Sequence, residues 1–570
     1  MNQGYNNNVN NQPSSEMPAN NMQASLLNNQ NPVIQEFPDG SKLLADGTQV
    51  LPDQTQLLPD GTKILPDKTR ILPNGDKILP DGTKVINTDS AKANGQNKCP
   101  NCGSTEVRIN PEKGVLVCEF CRHEFVPEKL GGMVDDLSQL QGQVIGSGAS
   151  DIAADVNDVM TFKCGSCGAE VVIDTKEATG ARCHWCRNTL SLNQQVPNGA
   201  VPDVVLPFAM KKEVARAKIE HFVGKRKFFA HPTFTKEFTT ENIMGVYFPY
   251  MVVDVNAHSY LAGEGEHQTR KYTVKSGDHY KTYYDADLFH VERDFDIIIN
   301  GLTVESNSDR LNNQSKDKTN NIINSIMPFD IENCVKYDSH FLKGYTSEKR
   351  DTNVKELKGL VDNQSKDIAR FAANDTLQFY DRGVAWSNEQ INIKGQQWKA
   401  AYLPVWLYSY QQVSGNKKLL HYVAVNARTG ETMGSVPIHM PKLLIVSGIV
   451  EILGILSMLW IDFDNNWIFL LLGFAFFGIM YARYRNSGAR HHHETETKRE
   501  IGNVQSIDTF IKHERGLSNS TIKGCNNKSV SSKSGGKGLA NSILQVANIN
   551  TDAFSKGEYV DVNKNNQQQK

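Results

Sequence analysis

Three features of the sequence predict an α+β protein built from several units. CxxC pairs occur as two matched doublets, strand-type and helix-type periodicities alternate without a repeating order over residues 204–437, and two apolar runs follow closely after that stretch. The expected architecture is an N-terminal short-strand repeat region, two tandem metal-binding ribbons, a mixed α+β body, a two-helix hairpin, and polar, disordered tails. With 570 residues the chain exceeds what one hydrophobic core usually supports. Its 61 Lys and Arg face 63 Asp and Glu, a net charge of −2, and holding nucleic acid as a main task needs a clear basic surplus.

Residues 1–32 are rich in Asn and Gln and too poor in apolar side chains to offset the entropy of ordering, so they read as a disordered tail. They also lack the charged and apolar regions of a signal peptide. From Pro38 to Ile86 a unit of 7 residues repeats, with Pro-Asp or Pro-Asn at Pro38, Pro52, Pro59, Pro66, Pro73 and Pro80, and Ala45-Asp46 in the remaining slot. Asp-Gly at Asp39, Asp46, Asp60 and Asp81, and Asn74-Gly75, are turn dipeptides, while the Thr-Lys-Ile-Leu between them suits a very short strand. A β meander over 38–86 is expected, in competition with a flexible spacer, because adjacent Ile-Leu pairs point to opposite faces and neither face would be cleanly buried. The run resembles the glycine-rich single-sheet repeats of centriolar G-box domains, with a shorter unit and without their aromatic residues.

After a polar linker, Cys99 and Cys102 are followed by Cys118 and Cys121, then Cys164 and Cys167 by Cys183 and Cys186, with 15 residues between pairs in both cases. A CxxC turn presents two thiolates from one knuckle, and two knuckles close a tetrahedral shell around Zn²⁺. Four protein ligands leave no open position, so two structural zinc ions are expected and no activated water. A thioredoxin-like redox pair comes singly and in a βαβ setting, which these matched doublets do not offer. The ribbons are placed at 97–127 and 160–193, joined by a partly flexible connection at 128–159. His123 and His184 are expected at the surface, and Cys334 and Cys525 as ordinary thiols. Thiolate sites also imply a reducing compartment.

The first cluster, KCPNCGSTEVRINPEKGVLVCEFCRHEF, resembles the zinc ribbon of the transcription factor TFIIB family. The second, FKCGSCGAEVVIDTKEATGARCHWCRNTL, with LPFAMKKEVARAKIEHFVGKRKF, GVYFPYMVVDV and AAYLPVWLYSYQQV, resembles bacterial TFIIB-type zinc-ribbon proteins over roughly half of the chain. That resemblance implies a cytosolic ribbon, an α+β body and often a membrane anchor, with no established activity. Ribbons of this type contact DNA, RNA and protein alike. Acids and bases balance across both clusters, which favours a protein partner and disfavours nucleic acid.

The body, 204–437, is expected to hold helices at KKEVARAKIEHFVGKRK, near Asn320–Ile326 and at Asn353–Ala373, with strands between them and a hairpin at Arg428-Thr429-Gly430. Leu443–Ile461 rises about 28 Å as a helix and matches a bilayer's hydrocarbon core; 467–484 is a second apolar run with Trp467, Tyr481 and Tyr484 at its ends. Lys442 and the cluster Arg483, Arg485, Arg490, Lys498 and Arg499 flank the pair, which predicts a multi-pass protein of the cytoplasmic membrane with both termini cytosolic. Glu451, midway along the first run, either marks contact with another helix or is tolerated as a protonated carboxyl. Residues 486–570 read as a polar tail with one short helix around Leu539–Ile549.

No phosphate-binding loop, dinucleotide fingerprint, nucleophile elbow, HExxH or kinase signature is present. His258, His267, His279 and His290, with Glu264, Glu266 and Asp285, lack matched spacing and read as scattered surface groups; His491-His492-His493-Glu494 reads as an adventitious metal binder. The sequence therefore predicts no catalytic residue, no organic cofactor and no small-molecule substrate. It predicts a membrane-anchored cytosolic adaptor that recruits a protein assembly to the lipid bilayer, ahead of a membrane-tethered nucleic-acid-binding regulator.

Overall fold

The computed structural model describes residues 32–88, 99–104, 106–110, 115–130, 133–150, 159–164, 169–174, 181–187, 189–190, 195–196, 202–239, 242–277, 279–307, 323–414, 417–457, 470–486 and 493–517. Two compact units divide the chain, 1–82 and 83–570.

In the first unit the repeats fold as a meander. Strand β1 is Val33–Glu36, β2 Lys42–Leu44, β3 Gln49–Val50, β4 Gln56–Leu57, β5 Lys63–Ile64, β6 Arg70–Ile71 and β7 Lys77–Ile78, each antiparallel to the next. The repeat sequence dictates the turns. In one unit Asp60 accepts from the Thr62 N–H at 2.8 Å, Gly61 donates its N–H to the Leu58 carbonyl, and Leu58 donates to that of Thr62. Gly61 has φ +86°, and the equivalent slots hold Gly40, Gly47, Gly75 and Gly82, but also Gln54 and Lys68 at φ 69° and 70°. Cross-strand partners share a face. The register therefore places Lys42, Val50, Gln56, Ile64, Arg70 and Ile78 on one face and Leu43, Gln49, Leu57, Lys63, Ile71 and Lys77 on the other. Each face alternates long polar stems with aliphatic groups, and neither is a core face.

The second unit contains β8 (Lys84–Ile86), β9 (Val107–Asn110), β10 (Val115–Cys118), β11 (Glu124–Phe125), β12 (Gly142–Gly146), β13 (Val159–Lys163), β14 (Glu170–Asp174), β15 (Gln195–Val196) and β16 (Val204–Val205). Then come β17 (Met244–Ser276), β18 (His279–Glu305), β19 (Val335–Lys336), β20 (Thr346–Glu348), β21 (Val384–Ser414), β22 (Lys417–Asn426), β23 (Thr432–Gly434) and β24 (Lys498–Leu517). Its helices are α1 (Ser147–Ser150), α2 (Lys212–Gly224), α3 (Pro232–Glu237), α4 (Val354–Ala373), α5 (Met440–Ser457), α6 (Leu472–Asn486) and α7 (His493–Glu496). This is a mixed α+β chain organised on a large sheet.

The sheet is organised by β17, antiparallel to β18 on one side and to β21 on the other. Along β18 buried and less buried positions alternate, so Phe295, Ile297 and Ile299 line one face. Helix α4 covers that face. Its buried residues Val354, Leu357, Val361, Ile368 and Ala372 recur at helical spacing and share a core cluster with Phe295, Ile297 and Trp398. A capping box starts it, with Asn353 accepting from the Lys355 N–H and Glu356 accepting from the Asn353 N–H.

Two stretches expected to be irregular belong to this sheet. Within 128–159, β12 lies parallel to both β8 and β21, and Asp203 fixes the turn that follows: its carboxylate accepts from the Gly148 N–H at 2.7 Å and the Ala400 N–H at 2.8 Å. A Cβ on Gly146 would sit 2.2 Å from that carboxylate, so only glycine fits there. Within 486–570, β24 pairs along β18 from Asn300↔Lys498 to Tyr283↔Leu517. It is largely exposed on both faces, so its alternation is weak and its polar composition reads as tail. The helix expected near Asn320–Ile326 is a single 3-10 turn at Ile323–Ile326 among the described residues, and the one expected around Leu539–Ile549 lies outside them.

The multi-pass membrane localisation is overturned. Among the described residues one helix, α5, is long and apolar enough to cross a membrane, whereas a multi-pass chain needs several. The run expected as a second span contains α6, whose 15 residues rise about 22 Å, short of a hydrocarbon core of about 30 Å, and which carries Arg483 and Arg485. Glu451 on α5 accepts the Gly473 N–H at 2.6 Å, so its carboxylate meets the first turn of α6.

Candidate metal centres

In ribbon 1 the two knuckles lie at the ends of β9 and β10, and the three strands β9–β11 form one small antiparallel sheet. Each knuckle is a tight turn held by the backbone. Gly103 donates its N–H to the Cys99 carbonyl at 2.8 Å with φ +72°, and Arg122 donates to that of Cys118 at 2.9 Å with φ 62°. These turns aim four sulfurs at one point. Cys99 and Cys121 are 3.5 Å apart, Cys102 and Cys118 3.6 Å, and all four ligand atoms lie within 4.8 Å of one another. A tetrahedron with metal–sulfur bonds of about 2.3 Å has edges of about 3.8 Å, whereas a disulfide needs about 2.05 Å. The donor set suits a soft or borderline cation. The His123 backbone N–H beside Cys121 lowers its thiol, while the adjacent Cys102 thiol, despite a Ser104 backbone hydrogen bond that lowers it, is raised by desolvation and by its neighbouring thiols.

Ribbon 2 repeats the second knuckle. Cys164 and Cys186 are 3.4 Å apart, and Arg187, at φ 64°, donates its N–H to the Cys183 carbonyl at 2.8 Å as Arg122 does in ribbon 1. Cys164, Cys183 and Cys186 form the second group able to hold a metal ion; Cys167 lies outside the described residues.

What surrounds the two groups differs. His184, expected at the surface, is fully buried, and Trp185 beside it is 7% exposed. The Trp185 indole N–H donates to Glu348 of β20 at 2.6 Å, His184 Nδ1 meets Thr346 Oγ1 at 3.2 Å, and the Ser409 hydroxyl donates to the His184 carbonyl at 2.6 Å. The Trp185 ring packs edge-on against Tyr422 and Phe248, with centroids 5.2 and 6.0 Å away. Strand β14 continues the attachment, because β20 lies antiparallel to it through Ile173↔Thr346, Val172↔Ser347 and Val171↔Glu348. Ribbon 1 is held from one side. Val107 and Leu116 are buried in a cluster shared with Phe341 and Leu342, and Lys343 reaches Glu106 and Glu119 at 3.4 and 3.5 Å. His123 is exposed, as expected.

Of the eight cysteines that the spacing points to, seven gather among the described residues into two groups able to hold a metal ion, but the spacing does not point to the residues that seat the second group. Glu348 stands 163 residues from Trp185 and carries no motif. An aromatic ring inside a CxxC knuckle was the available signal, and Phe120 shares it.

The histidines of the long strands do not converge on one pocket. His258 bridges Asp294 and Asp296 at 2.6 and 2.9 Å, His290 pairs with Glu292 at 2.8 Å, and His267 stacks on Phe379; Glu266 is buried against Arg382. A cavity of about 460 Å³ opens beside β17 and β21, lined by Met133, Asp254, Met327, Phe329, Cys334 and Lys399 among others. Its polar groups are engaged with one another. Asp254 accepts from the Gly301 N–H, the Gln397 amide and Lys399. Burial pushes the Cys334 thiol up to about 12, which leaves it protonated and unreactive.

Comparison with protein-family models, with curated proteins and with solved structures finds no match.

Proposed function

We propose that the chain is a non-enzymatic adaptor in which two structural zinc ions, one held by Cys99, Cys102, Cys118 and Cys121 and one by Cys164, Cys167, Cys183 and Cys186, order a platform that carries a protein assembly at a lipid bilayer. The zinc identity rests on tetrahedral spacing among thiols, the ligand type that favours Zn²⁺ over Mg²⁺ or Ca²⁺. A closed sulfur shell has no position for substrate or water, so the ions would hold structure and supply no reaction. TFIIB-type resemblance of the ribbons is part of this proposal, as is the preference for protein over nucleic acid that the balanced charge supports.

The observation that carries the attachment to lipid is α5. Leu444, Ile445, Ile449, Ile452, Leu453 and Leu456 are exposed, and at about 100° per residue they sweep half of the helix circumference. Leu443, Ser447 and Gly454 are its buried positions. An apolar surface this broad marks an interaction site, and the helix length of about 27 Å matches a hydrocarbon core.

The test is flotation of the purified full-length chain with phosphatidylcholine–phosphatidylglycerol vesicles, paired with crosslinking and affinity purification from the native source. The proposal expects two zinc ions per chain by mass spectrometry, co-flotation that Ile449→Lys with Leu453→Lys abolishes, and a stoichiometric protein partner. Nucleic acid recovered in place of protein, or a chain that stays at the bottom of the gradient, overturns it.

A further inference from the structure

We infer that ribbon 1 receives an extended, acidic segment of a partner protein, with Phe120 as its apolar anchor and Arg122 as the cation that reads its carboxylate. This rests on the adaptor reading and names the surface that does the recruiting.

Ribbon 2 displays the mode already filled by the body. The second knuckle of a ribbon carries an aromatic residue just before its last cysteine, Trp185 in one case and Phe120 in the other. Trp185 is 7% exposed because β20 supplies a seat for it: a three-residue extended segment laid antiparallel on β14, whose Glu348 carboxylate takes the indole N–H. That seat combines added strand, acid and aromatic packing.

Ribbon 1 presents its knuckle differently: Phe120 has no side-chain N–H for an acid to take, and the exposed cation two residues on is Arg122. Phe120, in the turn between β10 and β11, is 81% exposed and Val126, just after β11, is 78% exposed, whereas Val107 and Leu116 of the same small sheet are buried. Strand β9, which follows the first knuckle as β14 does in ribbon 2, has β10 as its one strand partner among the described residues, and the turn Ser339–Leu342 packs beside it. A sheet edge of this kind accepts an added strand through its main chain. Arg122 is exposed beside Phe120, and among the described residues its guanidinium makes no ion pair, whereas Arg108 is engaged with Glu119 and the matched Arg187 lies over the Tyr408 ring. An exposed aromatic beside an unpaired guanidinium is the composition of an interface hot spot, and its complement is a chain that brings an apolar side chain and an acid together.

The test places p-benzoylphenylalanine at position 120 of the full-length, zinc-loaded chain in its native source, with the same probe at exposed Val274 as the reference. After irradiation the crosslinked peptide is mapped, and a synthetic copy is titrated against the purified full-length chain by fluorescence anisotropy. The inference expects a segment of another protein with Asp or Glu near the crosslink, bound about tenfold more weakly by Phe120→Ala and by Arg122→Glu, at unchanged zinc content and unchanged Trp185 fluorescence. Crosslinking of position 120 to nucleic acid or to a second copy of this chain overturns it, as does peptide affinity indifferent to both substitutions. A partner that co-purifies with Phe120→Ala at the wild-type level sinks this inference and leaves the adaptor reading standing. Failure of any protein to co-purify with the wild-type chain sinks both.

Discussion

The two cysteine groups share spacing, second-knuckle geometry and the 3.5 and 3.4 Å separations of Cys99–Cys121 and Cys164–Cys186, yet one is built into the large sheet and the other stands with its second knuckle outward. Ribbon 2 adds β14 to β20 and sinks Trp185 among Phe248 and Tyr422, so its cysteines and the body share one core cluster. Ribbon 1 buries Val107 and Leu116 but leaves Phe120 in solvent. The same cysteine spacing is therefore seated in the body in one place and leaves its knuckle aromatic exposed in the other.

The sharpest way to break this contrast is to remove a ligand from each. Metal binding to such sites contributes on the order of 10 kcal/mol of folding free energy. Cys183→Ser should therefore abolish the main cooperative unfolding transition of the chain, while Cys118→Ser should lose one metal ion and leave that transition in place at lower temperature; metal content and calorimetry on the two variants check this. An equal effect would mean that both ribbons are keystones.

Next in size is truncation of the matched aromatics. Trp185→Ala should cost about 3–5 kcal/mol, the range for a large buried ring, and also removes one donor to the buried Glu348 carboxylate. Phe120→Ala should change stability by no more than about 0.5 kcal/mol. Urea denaturation of both variants measures the gap.

A third prediction concerns the body that seats ribbon 2. Burial raises the Asp203 carboxyl to about 6, against its two backbone donors and the nearby Arg350 cation. The folded chain thus holds a proton that the unfolded chain releases near pH 4. Asp203 therefore favours folding most strongly below about pH 4, and that contribution is lost as the pH rises through about 6. Asp203→Asn cannot titrate, so the stability gap between wild type and variant should narrow between pH 4 and pH 6 in denaturant titrations, and a constant gap would refute the assignment.

The smallest effect compares the two knuckle arginines, both in the left-handed region. Arg122→Gly should stabilise the chain by about 1 kcal/mol through relief of that backbone strain. Arg187→Gly gains the same relief but gives up the cation over Tyr408 at 4.7 Å, so its net change should fall near zero. Thermal shifts of the paired variants decide this.

How much of this was legible follows from the range over which each signal acts. The 7-residue repeat encodes its own turns, since Asp60, Gly61 and Thr62 make their bonds within one unit, and CxxC spacing encodes a knuckle whose bonds span four residues. Helix α4 announces itself through Asn353, Glu356 and the spacing of its buried residues. By contrast, β24 reads as a polar tail because an edge strand with both faces exposed needs no apolar alternation, and 128–159 reads as a linker because β12 is held by β21, some 250 residues further on. Composition alone gives the apolar run at 467–484 no helix bounds, and among the described residues its helix spans the 15 residues Leu472–Asn486.

The sequence alone determined the second-knuckle turns, the repeat turns, the start of α4 and the apolar character of α5, because each depends on side chains a few residues apart. Only the tertiary structure decided that His184 and Trp185 are buried while Phe120 is exposed, and that Glu451 meets the first turn of α6. Those outcomes depend on groups such as Glu348 and Gly473 that the fold brings to them, and burial is a property of what lies opposite a residue in space.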